Sequence, residues 1–120
     1  MRRLQVLLIA LGLTLVMTAC QSPAPTLSFS GTSTVEGVTY DLALEVQHLG
    51  DRLVGEYQVD AVEGGFEGTV NAGTVTAELT PSSTCTYAFD GTLTETSLDG
   101  TFQPSDCPGG QTGVWELTRQ

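Results

Sequence analysis

The chain predicts an all-β domain, a small eight-stranded antiparallel up-and-down β-barrel, with a two-sheet β-sandwich as the alternative. Three observations carry that prediction. From Thr26 onward, apolar and polar residues alternate with period two in eight runs, and no stretch has the periodicity of an amphipathic helix. Short clusters of turn-forming residues separate the runs, so consecutive runs are antiparallel neighbours in a meander. Every acid inside a run falls on the face opposite its bulky apolar neighbours, which makes one face of the sheet dry and the other wet. A sheet with one apolar face and no helix to cover it is best served by closing on itself, which also removes its exposed edges.

The elements follow in order. Run 26–33 carries Phe29 and ends before a turn at Glu36-Gly37. In run 38–48, Tyr40, Leu42, Leu44 and Val46 face one way and Asp41 and Glu45 the other, and Gly50-Asp51 turns the chain. Run 52–59 sets Leu53 and Tyr57 against Glu56. A turn at Glu63-Gly64 is expected next, leading into run 65–71, where Phe66 and Val70 oppose Glu67. Asn71-Ala72-Gly73 precedes run 74–80, with Leu79 against Glu78, and Pro81-Ser82-Ser83 precedes run 84–94, with Tyr87 and Phe89 against Asp90. Run 97–103 sets Leu98 and Phe102 against Asp99. After the loop 104–110, run 113–119 sets Trp115 and Leu117 against Glu116. All eight aromatic residues have inward parity, so a mostly filled interior is expected.

A recurring apolar-x-Gly-x-apolar pattern centres on Gly55, Gly68, Gly91 and Gly100, and Phe29-Ser30-Gly31 matches its first part. Each of these glycines shares the inner face with its bulky neighbours. Glycine within a strand marks a bend, a bulge or a close approach, as a tightly coiled small barrel requires.

Arg2 and Arg3 precede an apolar segment, residues 4–17, that is too short for the ~20 residues of a spanning helix. It ends in Met17-Thr18-Ala19-Cys20, which resembles the lipobox of bacterial lipoprotein precursors. The resemblance implies a signal peptide over 1–19, cleavage before Cys20, and acylation of that cysteine. Two or three acyl chains hold a protein stably on a bilayer. Residues 20–25, with Pro23 and Pro25, then form a flexible tether, and the barrel domain occupies 26–120. The expected location is the bacterial cell envelope, periplasmic or at an outer surface.

With Cys20 assigned to lipid, Cys85 and Cys107 remain, and an even pair in an exported chain suggests a disulfide. A hairpin centred on Glu95-Thr96 places them opposite each other to within a residue. Closing that loop of about 20 residues is worth roughly 3 kcal/mol in the chain-entropy model.

The chain has 14 acids against four basic residues, no lysine, and a formal charge of −10. Only Arg52 and Arg119 of the four lie after Cys20. Such a surface repels nucleic acid and anionic lipid, and suits a basic protein partner. His48 stands alone beside the Gly50-Asp51 turn, without a nucleophile signature. No Cys/His zinc spacing, calcium loop, phosphate loop or Gly-x-Ser-x-Gly elbow is present in the sequence. The expectation is a non-enzymatic binding or structural role with no cofactor and no metal.

The last run, Gly113-Val114-Trp115-Glu116-Leu117-Thr118-Arg119, is similar to the Gly-x-Trp strand of lipocalin-like and avidin-like meander barrels. That resemblance implies a carrier of a small apolar ligand, with Arg119 either stacked on Trp115 at a barrel end or solvated. The small lipid-anchored barrels of the c-type lysozyme inhibitor family are also similar in architecture and imply a hydrolase as the basic partner. Their Ser-Gly-Ser-Gly loop has no counterpart in this sequence. The interior separates the two roles: an apolar cavity above about 300 Å³ favours the carrier, and a filled core favours the surface.

Overall fold

Eight antiparallel strands close into one barrel in the computed structural model, which describes residues 25–82 and 85–120. The expected signal peptide and Cys20 lie outside the described residues. The strands are β1 (Thr26–Val35), β2 (Val38–Leu49), β3 (Arg52–Val59), β4 (Val62–Asn71), β5 (Thr74–Ser82), β6 (Cys85–Leu93), β7 (Ser97–Asp106) and β8 (Gly113–Arg119). Each pairs with the next, and β8 returns to β1 from Phe29↔Arg119 to Val35↔Gly113. The sheet is closed, so the two-sheet sandwich is excluded. All fourteen acids are exposed, as the alternation requires.

The turns sit where short polar or glycine-bearing pairs allow a left-handed backbone. Glu36 and Gly37 both have positive φ (50° and 82°), as do Ala72 and Gly73 (54° and 85°), which is the double requirement of a two-residue hairpin turn. The turn expected at Glu63-Gly64 lies instead at Asp60-Ala61, between the paired Val59 and Val62. Asp60 takes φ 53° there, a conformation that a short polar side chain tolerates. Gly64 is a strand residue opposite Tyr57, and the Tyr57 ring lies over it where a Cβ would stand.

Two further boundaries move for one reason. β5 runs on to Ser82 and β7 to Asp106, so Pro81 and Pro104 are strand residues. Each stands at a register irregularity beside β6, where a missing N–H costs no ladder bond. On the β7 side, Tyr87 pairs with Pro104 but Thr86 pairs with Asp106, leaving Ser105 as the extra residue. That insertion brings Cys107 level with Cys85. The two are joined in a disulfide with Cα atoms 4.5 Å apart.

The inner-face glycines set how closely strands approach. The ring of Phe89 lies over the directly paired Gly91 and Gly100. A Cβ on Gly91 would stand 2.5 Å from the Asp99 carbonyl oxygen and 2.8 Å from Phe89 Cε2. Elsewhere a glycine faces a large side chain across the ladder, as in Gly55↔Phe66 and Gly100↔Trp115.

The interior divides by height. The end that receives Pro25 and releases Gln120 is floored by Leu27, Val46, Leu53, Val75, Leu98 and Leu117, none more than 8% exposed. In the middle, Trp115 meets Phe89 and Tyr57 at ring-centroid distances of 5.1 and 5.2 Å, and Phe66 at 6.1 Å. The opposite end, which carries the turns at 36–37 and 60–61 and the disulfide, is open.

Candidate functional site: an aromatic cup at the open end

The open end holds a cup of about 390 Å³. Trp115, Leu79 and Phe102 form its base. All three tyrosines of the chain, Tyr40, Tyr57 and Tyr87, line its wall, together with Val35, Val59 and Pro81. The interior is mostly filled, as expected, but the aromatic side chains that fill the middle of the barrel stop short of one end. Period-two patterning places a residue on the inner face and leaves its height along the barrel unspecified.

Two hairpin tips of matching composition bound the mouth. Val35-Glu36-Gly37-Val38 joins β1 to β2, and Val59-Asp60-Ala61-Val62 joins β3 to β4. In each a valine pair flanks a two-residue turn whose first member is an acid at positive φ. Val38 and Val62 are about half exposed, at 51% and 50%. Asp60 is the one ionisable acid among the lining residues. Neither of the two arginines among the described residues lies at this end: Arg52 opens β3 and Arg119 closes β8, both at the far end, where Arg52 pairs with Glu67.

Residues 107–112 border the mouth on the third side. The disulfide fixes their start, Gly110 N–H donates to the Cys107 carbonyl at 2.9 Å, and Gln111 Nε2 donates to Glu36 Oε1 at 3.0 Å. A Cβ on Gly110 would come within 2.6 Å of the Tyr87 hydroxyl, so that loop rests on the tyrosine.

Two polar groups inside the cup stand out. Ser33 is 3% exposed, the only buried polar side chain among the described residues, and no described residue is hydrogen-bonded to its hydroxyl. It sits between Tyr40 on β2 and Trp115 on β8. Burying a hydroxyl without a partner costs of the order of 1–3 kcal/mol. Tyr57 is the second: burial, with the Tyr87 phenol adding to it, pushes its pKa up to about 12.

The residues singled out from the sequence fall elsewhere. Cys85 and Cys107 are brought together beside the mouth. His48 lies at the far end, where its backbone N–H donates to the Pro25 carbonyl at 3.1 Å. Arg119 is exposed, and the aromatic contacts of Trp115 are with rings, not with that guanidinium. Among the described residues no group of three His, Cys, Asp or Glu side chains is placed to hold a metal. Ser33 and Asp60 escaped the sequence reading. A serine at an inward position, and an acid inside a repeated Val-acid-x-Val tip, were the signals that could have found them.

No family model matches the chain, and no curated protein or solved structure matches it either.

Proposed function

We propose that this chain is a non-enzymatic, membrane-tethered binding protein that takes a small, mostly apolar molecule bearing at least one hydrogen-bonding atom into the cup. The observation that carries this reading is the cup itself: five aromatic rings and aliphatic side chains gather at the open end, and the Ser33 hydroxyl, hydrogen-bonded to no described residue, is there to meet a polar ligand atom. The volume of about 390 Å³ and the lining of aromatic rings and aliphatic side chains agree with small-molecule sites generally. The lipobox-like segment ending at Cys20 supplies the tether in this reading, placing the barrel at the bacterial cell envelope.

The exposed acids favour a second role on the outer wall, toward a basic protein such as an envelope hydrolase. Glu45↔Glu56, Glu67↔Glu78 and Asp99↔Glu116 are directly opposed like charges, an arrangement that a cationic surface would relieve.

Titration with the neutral fluorophore N-phenyl-1-naphthylamine tests the cup. The expected result is saturable one-to-one binding with quenching of Trp115 fluorescence. Val59→Trp, which fills the cavity from its half-buried wall, should abolish binding while the protein stays folded. Absence of saturable binding to the native protein, or undiminished binding to the filled variant, would overturn the reading. For the tether, Cys20→Ser should abolish both acylation and cleavage before residue 20, and a serine variant that still takes up an acyl label in cells would overturn it.

A further inference from the structure

The cup's charge distribution says which apolar molecules it can hold. We infer that its ligand is an organic cation: an apolar body seated on Trp115 and Phe102, with a protonated or quaternary amine held among the tyrosine rings and Asp60. This rests on the cup being a ligand site and adds the sign of the ligand.

Three independent features of the cup point the same way. Five aromatic rings are among the lining residues, and the negative face of an aromatic ring attracts a cation, most strongly when water is excluded. Five of the chain's eight aromatic residues converge on this one cavity. The ionisable acid of the lining is Asp60, while Glu36 stands on the neighbouring tip and Glu63 next to the β3–β4 turn. No arginine, lysine or histidine lies on this half of the barrel among the described residues, so a carboxylate or phosphate entering the mouth would meet no positive charge to pair with.

Ser33 fits the same occupant. Ser33 pairs with Tyr40 on β2, and the β2–β3 ladder ends two residues on at Leu42↔Val59, so the 60–61 turn follows on the next strand over. Ser33 and the 60–61 turn are thus two strand spacings apart, about 10 Å across the ladder. A hydroxyl on one wall and a carboxylate on the other can both accept from the N–H groups of one amine, or bind an amine and a second polar atom. A neutral hydrocarbon uses neither.

Three probes with a common body decide the matter: octylammonium, octanol and octanoate, each displacing N-phenyl-1-naphthylamine from the native protein. Octylammonium should compete at least about tenfold better than octanol, the size of one partly desolvated cation–ring interaction, and octanoate should be weakest. Asp60→Asn preserves the turn, since asparagine tolerates positive φ, and should reduce the ammonium advantage to less than about threefold. Glu78→Gln removes an equal charge from the outer wall and should leave the advantage unchanged. Equal competition by octylammonium and octanol would overturn the inference while leaving the cup a ligand site. So would an equal loss in the two variants, because the preference would then belong to the diffuse field of an acidic protein. If the fluorophore itself does not bind, it is the proposed site that fails.

Discussion

At one end of the barrel, turns and termini are tied to their neighbours by backbone hydrogen bonds above a floor of leucine and valine. At the other, hairpin tips stand around three tyrosines. Val70 N–H donates to Asp51, Leu93 to Gly73, Arg119 to Thr96 and Gln120 to Ser28, all at 2.8 Å and all at the closed end. Among the described residues, the corresponding loop bond at the open end is the local one from Gly110 to Cys107. One closed sheet thus serves two tasks. Tied backbone over close-packed aliphatics makes a dry, cooperative unit, whereas aromatic side chains with polar tips can edge a cavity without collapsing into it.

The strongest way to break this comparison is to remove one ring from each region. Phe89, fully buried over the Gly91–Gly100 pair, should cost about 3–5 kcal/mol on replacement by alanine, as for large aromatic truncations in cores. Tyr40→Ala, on the half-buried wall of the cup, should cost less than about 2 kcal/mol because much of its ring already faces the cavity. Urea unfolding of both variants checks this, and equal losses would mean that the cup is core.

Glycine substitutions sharpen the same contrast. Gly91→Val drives a side chain against the Asp99 carbonyl and the Phe89 ring, neither of which has room to yield, and should cost about 1–3 kcal/mol or more. Its outward neighbour Thr92→Val should stay within about 0.5 kcal/mol. At the mouth, Gly110→Ala meets the Tyr87 hydroxyl at 2.6 Å and the Cys107 carbonyl at 3.0 Å, and should cost about 1 kcal/mol, less than Gly91→Val. Thermal unfolding in parallel ranks the three, and a Gly91→Val protein as stable as the parent would mean that the inner face has been misplaced.

The most condition-dependent effect concerns pH. The folded protein holds the Tyr57 proton to about pH 12, whereas the unfolded chain loses it near 10.0. The stability this contributes is fully present below pH 10 and is lost as pH rises toward 12, because only the unfolded state gains by ionising. Solvent at the open mouth screens the phenol, so the loss should be about 1–2 kcal/mol rather than the full two-unit value. Tyr57→Phe should remove that part of the alkaline decline, as followed by unfolding between pH 9 and 12. An unchanged decline would place the phenol in water.

The barrel was legible because its cause is local. Alternation fixes the face of each residue, the acids test that assignment independently, and the closed sheet repeats it strand by strand. The Asp60-Ala61 turn was not, since Gly64-Gly65 looks like the better breaker and outweighs the Val-acid-x-Val pattern around Asp60. The disulfide was legible only to within a residue, and Ser105 supplied that residue. The cup was hidden for a deeper reason. Tyr40, Tyr57 and Tyr87 have the same inward parity as Phe29, Phe66 and Phe89, and only the stagger between strands decides which of them gather at the mouth and which pack the centre.

The chain enters β1 and leaves β8 at the closed end, where Pro25 accepts from His48 and Gln120 donates to Ser28. Whatever holds either terminus therefore stands behind the barrel, and the opening looks the other way. For the N-terminal mooring proposed above, the mouth is the end of the barrel farthest from the attachment point. The same geometry gives the experimenter two attachment points, front and back of the sequence, that both leave the entrance clear.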